Sequence, residues 1–281
     1  MLRTTFLLAA LTGLIMTIGY WLGGSSGLVI AFVFAIIMNF GSYWFSDKIV
    51  LAAYGAQPIA ESEAPGLYQT VRQLSQREGI PMPRLYLIPS EAANAFATGR
   101  NPEHAVVAVT QGILQLMNER ELTGVLAHEL AHVCNRDILI SSIAATLGGV
   151  VMLLANFAQW SLFFGGMGRS SDREGGGNPI GFLLTALLAP LAATLIQLAI
   201  SRTREYAADE TGAHASGDPL ALASALQKLG AASQARPLDA SPQTAHLFIV
   251  NPLFGRSLTQ LFSTHPSLED RVARLYKLAG R

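Results

Sequence analysis

The chain is short of charge: Asp, Glu, Lys and Arg make up 14% of its 281 residues, against about a quarter in ordinary globular domains. What charge there is cancels, with 19 basic and 19 acidic side chains. There is no basic run, so nucleic acid and acidic partners are excluded as the expected ligands. Cysteine is nearly absent. Cys134 stands alone, which rules out an internal disulfide and fits a reducing compartment. It lies two residues from His132, on another side of any helix, and reads as a small buried apolar residue rather than a metal ligand.

What fills the space is hydrophobic: 51% of residues, in runs too long for a soluble enzyme. A bilayer-spanning helix needs about 20 apolar residues. Four stretches qualify: Thr4–Leu22, Gly27–Phe45, Ile138 to about Phe164, and Pro179–Ile200. The first two, joined by Gly23-Gly24-Ser25-Ser26, predict a helical hairpin with both ends on one side. A cleaved signal peptide competes for the first, but its apolar core is too long and a second span follows at once. The third and fourth carry many Ala and Gly residues, so buried core helices compete with true spans there; Pro190 predicts a kink in the fourth.

These runs divide the chain into a hairpin (1–46), a polar region (47–137), a second hydrophobic pair (138–200) and a second polar region (201–281). In the first polar region, Ala64–Glu78 reads as a helix, with Pro65 at its start and Gly79 past its end. Arg84–Ile88 and His104–Thr110 read as strands, with Asn94–Gly99 a loop or edge strand between them. Asn118 and Glu121 form a capping box ahead of a helix whose apolar face is Leu122, Val125, Leu126 and Val133. In the second polar region Asp218-Pro219 opens a helix ending near Gly230. Residues 231–245 lack an apolar period and read as a loop, and a terminal helix runs from about Ser267 to Leu278. The predicted fold is mainly α with a small β-sheet.

The capped helix carries His128-Glu129-Leu130-Ala131-His132. Residues four apart share a helix face, so both imidazoles reach one metal ion, and Glu129 lies one step round, beside a metal-bound water. This is the H-E-x-x-H arrangement of zinc peptidases, with two nitrogen ligands and a general base. A catalytic zinc takes a third protein ligand. Glu205 is the best candidate, because Asp209, four residues on, shares its face; a ligating carboxylate with an acid one turn later resembles the thermolysin-like (gluzincin) pattern, in which the acid orients a zinc histidine. Asp209 would then serve His128. The bland alternative pairs Glu205 with Arg202.

H-E-L-A-H, S-R-T-R-E-Y-A-A-D, N-A-F-A-T-G and S-T-H-P, in that order, resemble the HtpX family of heat-shock membrane metalloproteases, relatives of the CAAX prenyl endopeptidases. The likeness covers essentially the whole chain. It implies a gluzincin core fused to about four transmembrane helices, one Zn2+ per chain, a bacterial inner-membrane location and a cytosolic active site. It also implies cleavage of damaged or misfolded membrane proteins. By the same resemblance, His265 donates a hydrogen bond to the oxyanion, and Asn94 helps to bind an extended substrate. Arg3, Lys48, Arg136, Arg202 and Arg204 flank the spans on one side, which by the positive-inside rule favours a cytosolic site.

Two other readings compete: a catalytically inactive, zinc-stabilised membrane chaperone or scaffold, and a protease with its zinc inside the bilayer. The polar Asn118–Glu121 directly before the motif argues against the second. His104, His214 and His246 lie in no motif and read as structural or solvated. Arg271 reads at most as a neutraliser of a nearby acid.

Overall fold

A single long helix, α1 (Leu2–Ala53), carries both of the first hydrophobic stretches. It is broken at Gly23 and Gly24, where Gly24 has φ of 58°, a conformation that glycine adopts without steric cost. The chain doubles back there: Asn39 Nδ2 donates to Thr12 Oγ1 across the two arms at 2.8 Å. The arms are in backbone contact at Gly19 and Gly27, where any Cβ would collide with the opposite arm. The computed structural model describes residues 2–148, 202–235, 244–250 and 266–280. Among them, one segment, Gly23–Ala53, is long and apolar enough to cross a membrane, and only 11% of its most apolar window is buried. The third expected span is described only as the apolar helix Ile138–Gly148. The fourth, Pro179–Ile200, and His265 lie outside the described residues. Of the four expected spans, one helix meets the length and hydropathy criteria among the described residues.

The second arm does not stop at residue 46 but continues to Ala53. Its last turns are not lipid-like. Val50 and Leu51 are buried against Ile88, Phe96, Val106, Ala108 and Phe248, so this end of the helix belongs to the water-soluble body.

That body is built on a four-stranded sheet: β1 (Gln57–Pro58), β2 (Arg84–Ile88), β3 (Ala95–Thr98) and β4 (Val106–Thr110), in the order β1-β2-β4-β3. β2 and β4 are parallel, while β1 and β3 run antiparallel on the two edges. Every residue of β4 is buried, which is why Val106-Val107-Ala108-Val109 reads as a continuous apolar run rather than an alternating one. Val106 and Ala108 face the end of α1; Val107 and Val109 face the helical core.

The helices of that core are α2 (Pro65–Glu78), α3 (Gln111–Leu116), α4 (Glu119–Cys134), α5 (Ile138–Gly148), α6 (Arg202–Ser216), α7 (Pro219–Ala235) and α8 (Leu268–Leu278). α2 ends as expected on Gly79, in the left-handed region at φ 65°. α7 runs five residues beyond the expected stop at Gly230, because Ala231–Ala235 contains no helix breaker. α4 lies at the centre, with Val125, Leu126, Leu130 and Val133 packed among Leu222, Leu226 and Leu229 of α7 and Val71 and Leu74 of α2. Its start is fixed by the capping box: Glu121 N–H donates to Asn118 Oδ1 at 3.0 Å, and Asn118 N–H to Glu121 Oε2 at 3.1 Å. Glu121 also accepts from Ser224 and Lys228 of α7, both at 2.7 Å.

Candidate metal centre

α4 and α6 meet with almost nothing between them. A Cβ at Gly212 would stand 2.7 Å from the backbone N of His128 and 2.8 Å from its Cα. This close approach carries α6 across the H-E-x-x-H face of α4 and sets Glu205 against both histidines. Nε2 of His128 and Nε2 of His132 are 3.2 Å apart. Glu205 Oε1 is 3.5 Å from His132 Nε2, and its Oε2 is 3.9 Å from His128 Nε2. One ligand atom from each residue falls within 4.8 Å of the others. Atoms bound tetrahedrally to zinc at about 2.0–2.2 Å stand about 3.3–3.6 Å apart. The His128–His132 and His132–Glu205 separations are close to two edges of such a tetrahedron, and the third, at 3.9 Å, is a little longer.

The nitrogens that face away from this point are held as a metal site requires. His128 Nδ1 lies 3.0 Å from Asp209 Oδ1. His132 Nδ1 lies 3.5 Å from Asp137 Oδ2. Each of these carboxylates meets an arginine: Arg271 grips Asp209 with Nε at 2.8 Å and Nη2 at 2.6 Å, and Arg204 Nη1 reaches Asp137 Oδ1 at 3.2 Å. The two imidazoles therefore have parallel supports, histidine to aspartate to arginine.

Asp137 reaches its place because the chain turns sharply past the end of α4. Arg136 takes φ of 58°, and Asp137 N–H donates to the His132 carbonyl at 2.9 Å.

Charge at the site follows from burial and these partners. Burial lowers His128 to about 4, outweighing the pull of Asp209. Burial acts the same way on His132, but the hydrogen bond to Asp137 and the charges of Glu205 and Glu129 outweigh it and raise the ring to about 9. Burial raises Glu129 to about 8, opposed by the His132 charge and a hydrogen bond from the Ala97 N–H. For Asp209 burial acts upward, yet Arg271 prevails and holds it at about 2. Cys134 points elsewhere. Burial and Glu78 push its thiol up to about 11, which leaves it unreactive at neutral pH.

A small cavity of about 30 Å³ opens onto the three candidate ligands and Glu129. Its far wall is the segment 244–250, which includes His246 and Phe248. Ile249 N–H donates to Ala95 O on β3 at 3.3 Å, and Asn94 Nδ2 to the Val250 carbonyl at 3.0 Å. His246 Nε2 is 3.1 Å from the Ser141 carbonyl.

Residues 61–279, more than half of the chain, match the model of peptidase family M48. The chain belongs to peptidase family M48. A Protease HtpX homolog of Syntrophobacter fumaroxidans is 65% identical over 274 residues, covering 97% of this chain and 97% of that protein. One from Pyrococcus furiosus is 56% identical over 278 residues, covering 99% and 95%. The crystal structure of S. mikatae Ste24p shares the fold, with a TM-score of 0.51 at 20% identity over 98% of this chain and 65% of that one.

As an M48 peptidase of the HtpX type, the chain is a metal-dependent hydrolase of peptide bonds. Its H-E-x-x-H helix and the acid of α6 meet where a metal would sit. Asp209 stands behind His128, the histidine that the sequence singled out for it. Asn94 is buried, with its amide spent on Val250. Four residues of the site escaped sequence reasoning, the first being His246, which reads as structural or solvated in the sequence and lines the cavity. Asp137 follows a turn that no spacing rule describes, Arg204 was counted only as a flanking charge, and Arg271 was only a possible neutraliser. A buried arginine on a helix with acids near it is the kind of signal that points to such a role, but burial is not visible in a sequence.

Proposed function

We propose that this M48 peptidase is a zinc-dependent endopeptidase of the inner membrane, crossing it several times. Its site faces the cytoplasm, and its substrates are misfolded or damaged membrane proteins or unfolded polypeptides. The observation that carries the chemistry is the convergence of His128, His132 and Glu205 within 4.8 Å, with Glu129 on the same cavity. Those three residues would hold zinc, which supplies an acidified water and polarises the scissile carbonyl. The Asp209 and Asp137 carboxylates fix the rings so that both Nε2 atoms face one point.

Glu129, on the same cavity, would take a proton from water and return it to the leaving nitrogen. His265 is proposed, by resemblance, to donate to the oxyanion. An extended substrate would lie against the outer side of β3. Asn94 contributes there by holding Val250, and so the cleft wall, in place. The membrane setting is supported by the short path from His132 to the apolar helix α5, which starts six residues on, past the turn at Arg136. The alternatives of an inactive scaffold and of a zinc buried in the bilayer draw no support from the site or the relatives.

The test grafts one cleavable sequence onto a membrane-anchored carrier and onto a soluble one. Preferential cutting of the anchored carrier, lost on chelation and restored by zinc, is expected; equal cutting of both counts against the membrane-substrate reading.

A further inference from the structure

The second arm of α1 leaves the apolar stretch at Trp44 and Phe45 and meets its first charges at Asp47 and Lys48. Trp and aromatic residues at that level mark the boundary between hydrocarbon and headgroups. There the sheet-bearing body forms a groove of about 530 Å³ against the helix, lined by these four residues and by Phe40, Arg84, Arg100 and His104. Three cations share this groove with one carboxylate. Arg84 is taken by Asp47, with Nη2 3.0 Å from Oδ2. Lys48 and Arg100 rest on aromatic faces instead: Lys48 Nζ is 5.4 Å from the Phe45 ring centre, and Arg100 Cζ is 4.5 Å from that of Trp44. Among the described residues no carboxylate lies within ion-pair distance of Lys48 or Arg100.

We propose that this groove binds the phosphate headgroup of an anionic phospholipid. Two surplus cations attract the phosphate, and a guanidinium held over an indole keeps donors for phosphate oxygens. The groove floor is continuous with the outward face of α1, where Ile37 is 62% and Phe40 61% exposed, so an acyl chain has an apolar surface to follow. That continuity favours a lipid over a free anion. A headgroup clamped between α1, the start of β2 and the connection from β3 to β4 would set the height of the catalytic body above the bilayer.

The inference rests on the membrane reading, so its test separates the two. The full-length protein is reconstituted into vesicles of phosphatidylcholine with a minor share of phosphatidylglycerol, floated, and extracted in mild detergent. Retained lipid is then quantified by mass spectrometry. Phosphatidylglycerol should be enriched over its share in the vesicles. Lys48→Gln and Arg100→Gln should each reduce that enrichment about five-fold. Arg72→Gln, on an exposed ion pair of α2 outside the groove, should leave it unchanged, and all three variants should still cleave a soluble peptide. Floating protein whose enrichment does not respond to Lys48 and Arg100 overturns the headgroup site while the membrane reading stands. Displacement of the lipid by equimolar inorganic phosphate also overturns it, as a free-anion site. Protein that does not float overturns both.

Discussion

Asp209 Oδ1 is shared between Arg271, whose Nη2 stands at 2.6 Å, and His128, whose Nδ1 stands at 3.0 Å. Arg271 is 1% exposed and its remaining nitrogen, Nη1, donates to the Ile249 carbonyl at 2.8 Å. The imidazole is thus oriented by a carboxylate that is itself oriented by a buried cation. Arg271→Met leaves that carboxylate charged and unpaired in the core, a loss of about 3–5 kcal/mol, read as a large drop in thermal midpoint. Asp209→Asn keeps the shape and should fold, but with metal affinity reduced about 10–100-fold in a competition titration. Unchanged affinity would remove Asp209 from the metal site.

Glu129→Gln removes the proton carrier and no ligand. Proteolysis should fall to background while the metal content of the purified protein stays that of the parent. Residual turnover by this variant would refute the general-base role.

Acid and alkaline pH should act on opposite members of the metal-free site. His132, raised from 6.5 to about 9, and Glu129, raised from 4.5 to about 8, favour the fold when protonated, a contribution lost as pH climbs through those values. His128, lowered from 6.5 to about 4, contributes in the other direction: its share is present above 6.5 and lost as pH falls through 4. Between 4.5 and 6.5 the opposing slopes of Glu129 and His128 offset each other; above 6.5, His132 and Glu129 both lose. Chelator-treated protein should therefore hold its thermal midpoint from about pH 4.5 to 6.5 and lose it towards pH 9. Added zinc must displace the His132 proton, so its stabilising effect should grow over the same alkaline range. A metal-free midpoint as high at pH 9 as at pH 6 would contradict this.

Gly212 faces the His128 backbone at a distance that no Cβ tolerates. Gly212→Ala should push α6 away from α4, carrying Glu205 with it. Activity and metal affinity should both fall by more than the modest helix-propensity gain of alanine would suggest. An ordinary variant with full metal binding would show that the helix contact is softer than its geometry implies.

Much of this site is legible in the sequence, and the reasons are local. Imidazoles at positions 128 and 132 share a face by helix geometry alone, and Asn118 with Glu121 is a reciprocal cap written in four residues. Strand β2 was bounded to the residue by its composition. What stayed hidden depended on distance along the chain. Asp137 comes to His132 only through the left-handed Arg136, a residue type that gives no hint of that conformation. Arg271 comes to Asp209 across 62 residues. His265 and the fourth hydrophobic run, Pro179–Ile200, fall outside the described residues.

The end of α1 closes one face of the sheet. Tyr54, Phe96 and Phe248 meet tilted or edge to face with ring centres 5.0–6.1 Å apart, and Phe248 belongs to the cleft wall. Trimming the chain back to its first strand at Gln57, a natural step for anyone wanting a water-soluble form, would strip Val50, Leu51 and Tyr54 from that cluster. The shortened protein would expose an oily patch beside its own mouth and tend to clump. A usable soluble version has to begin inside the last turns of the anchor.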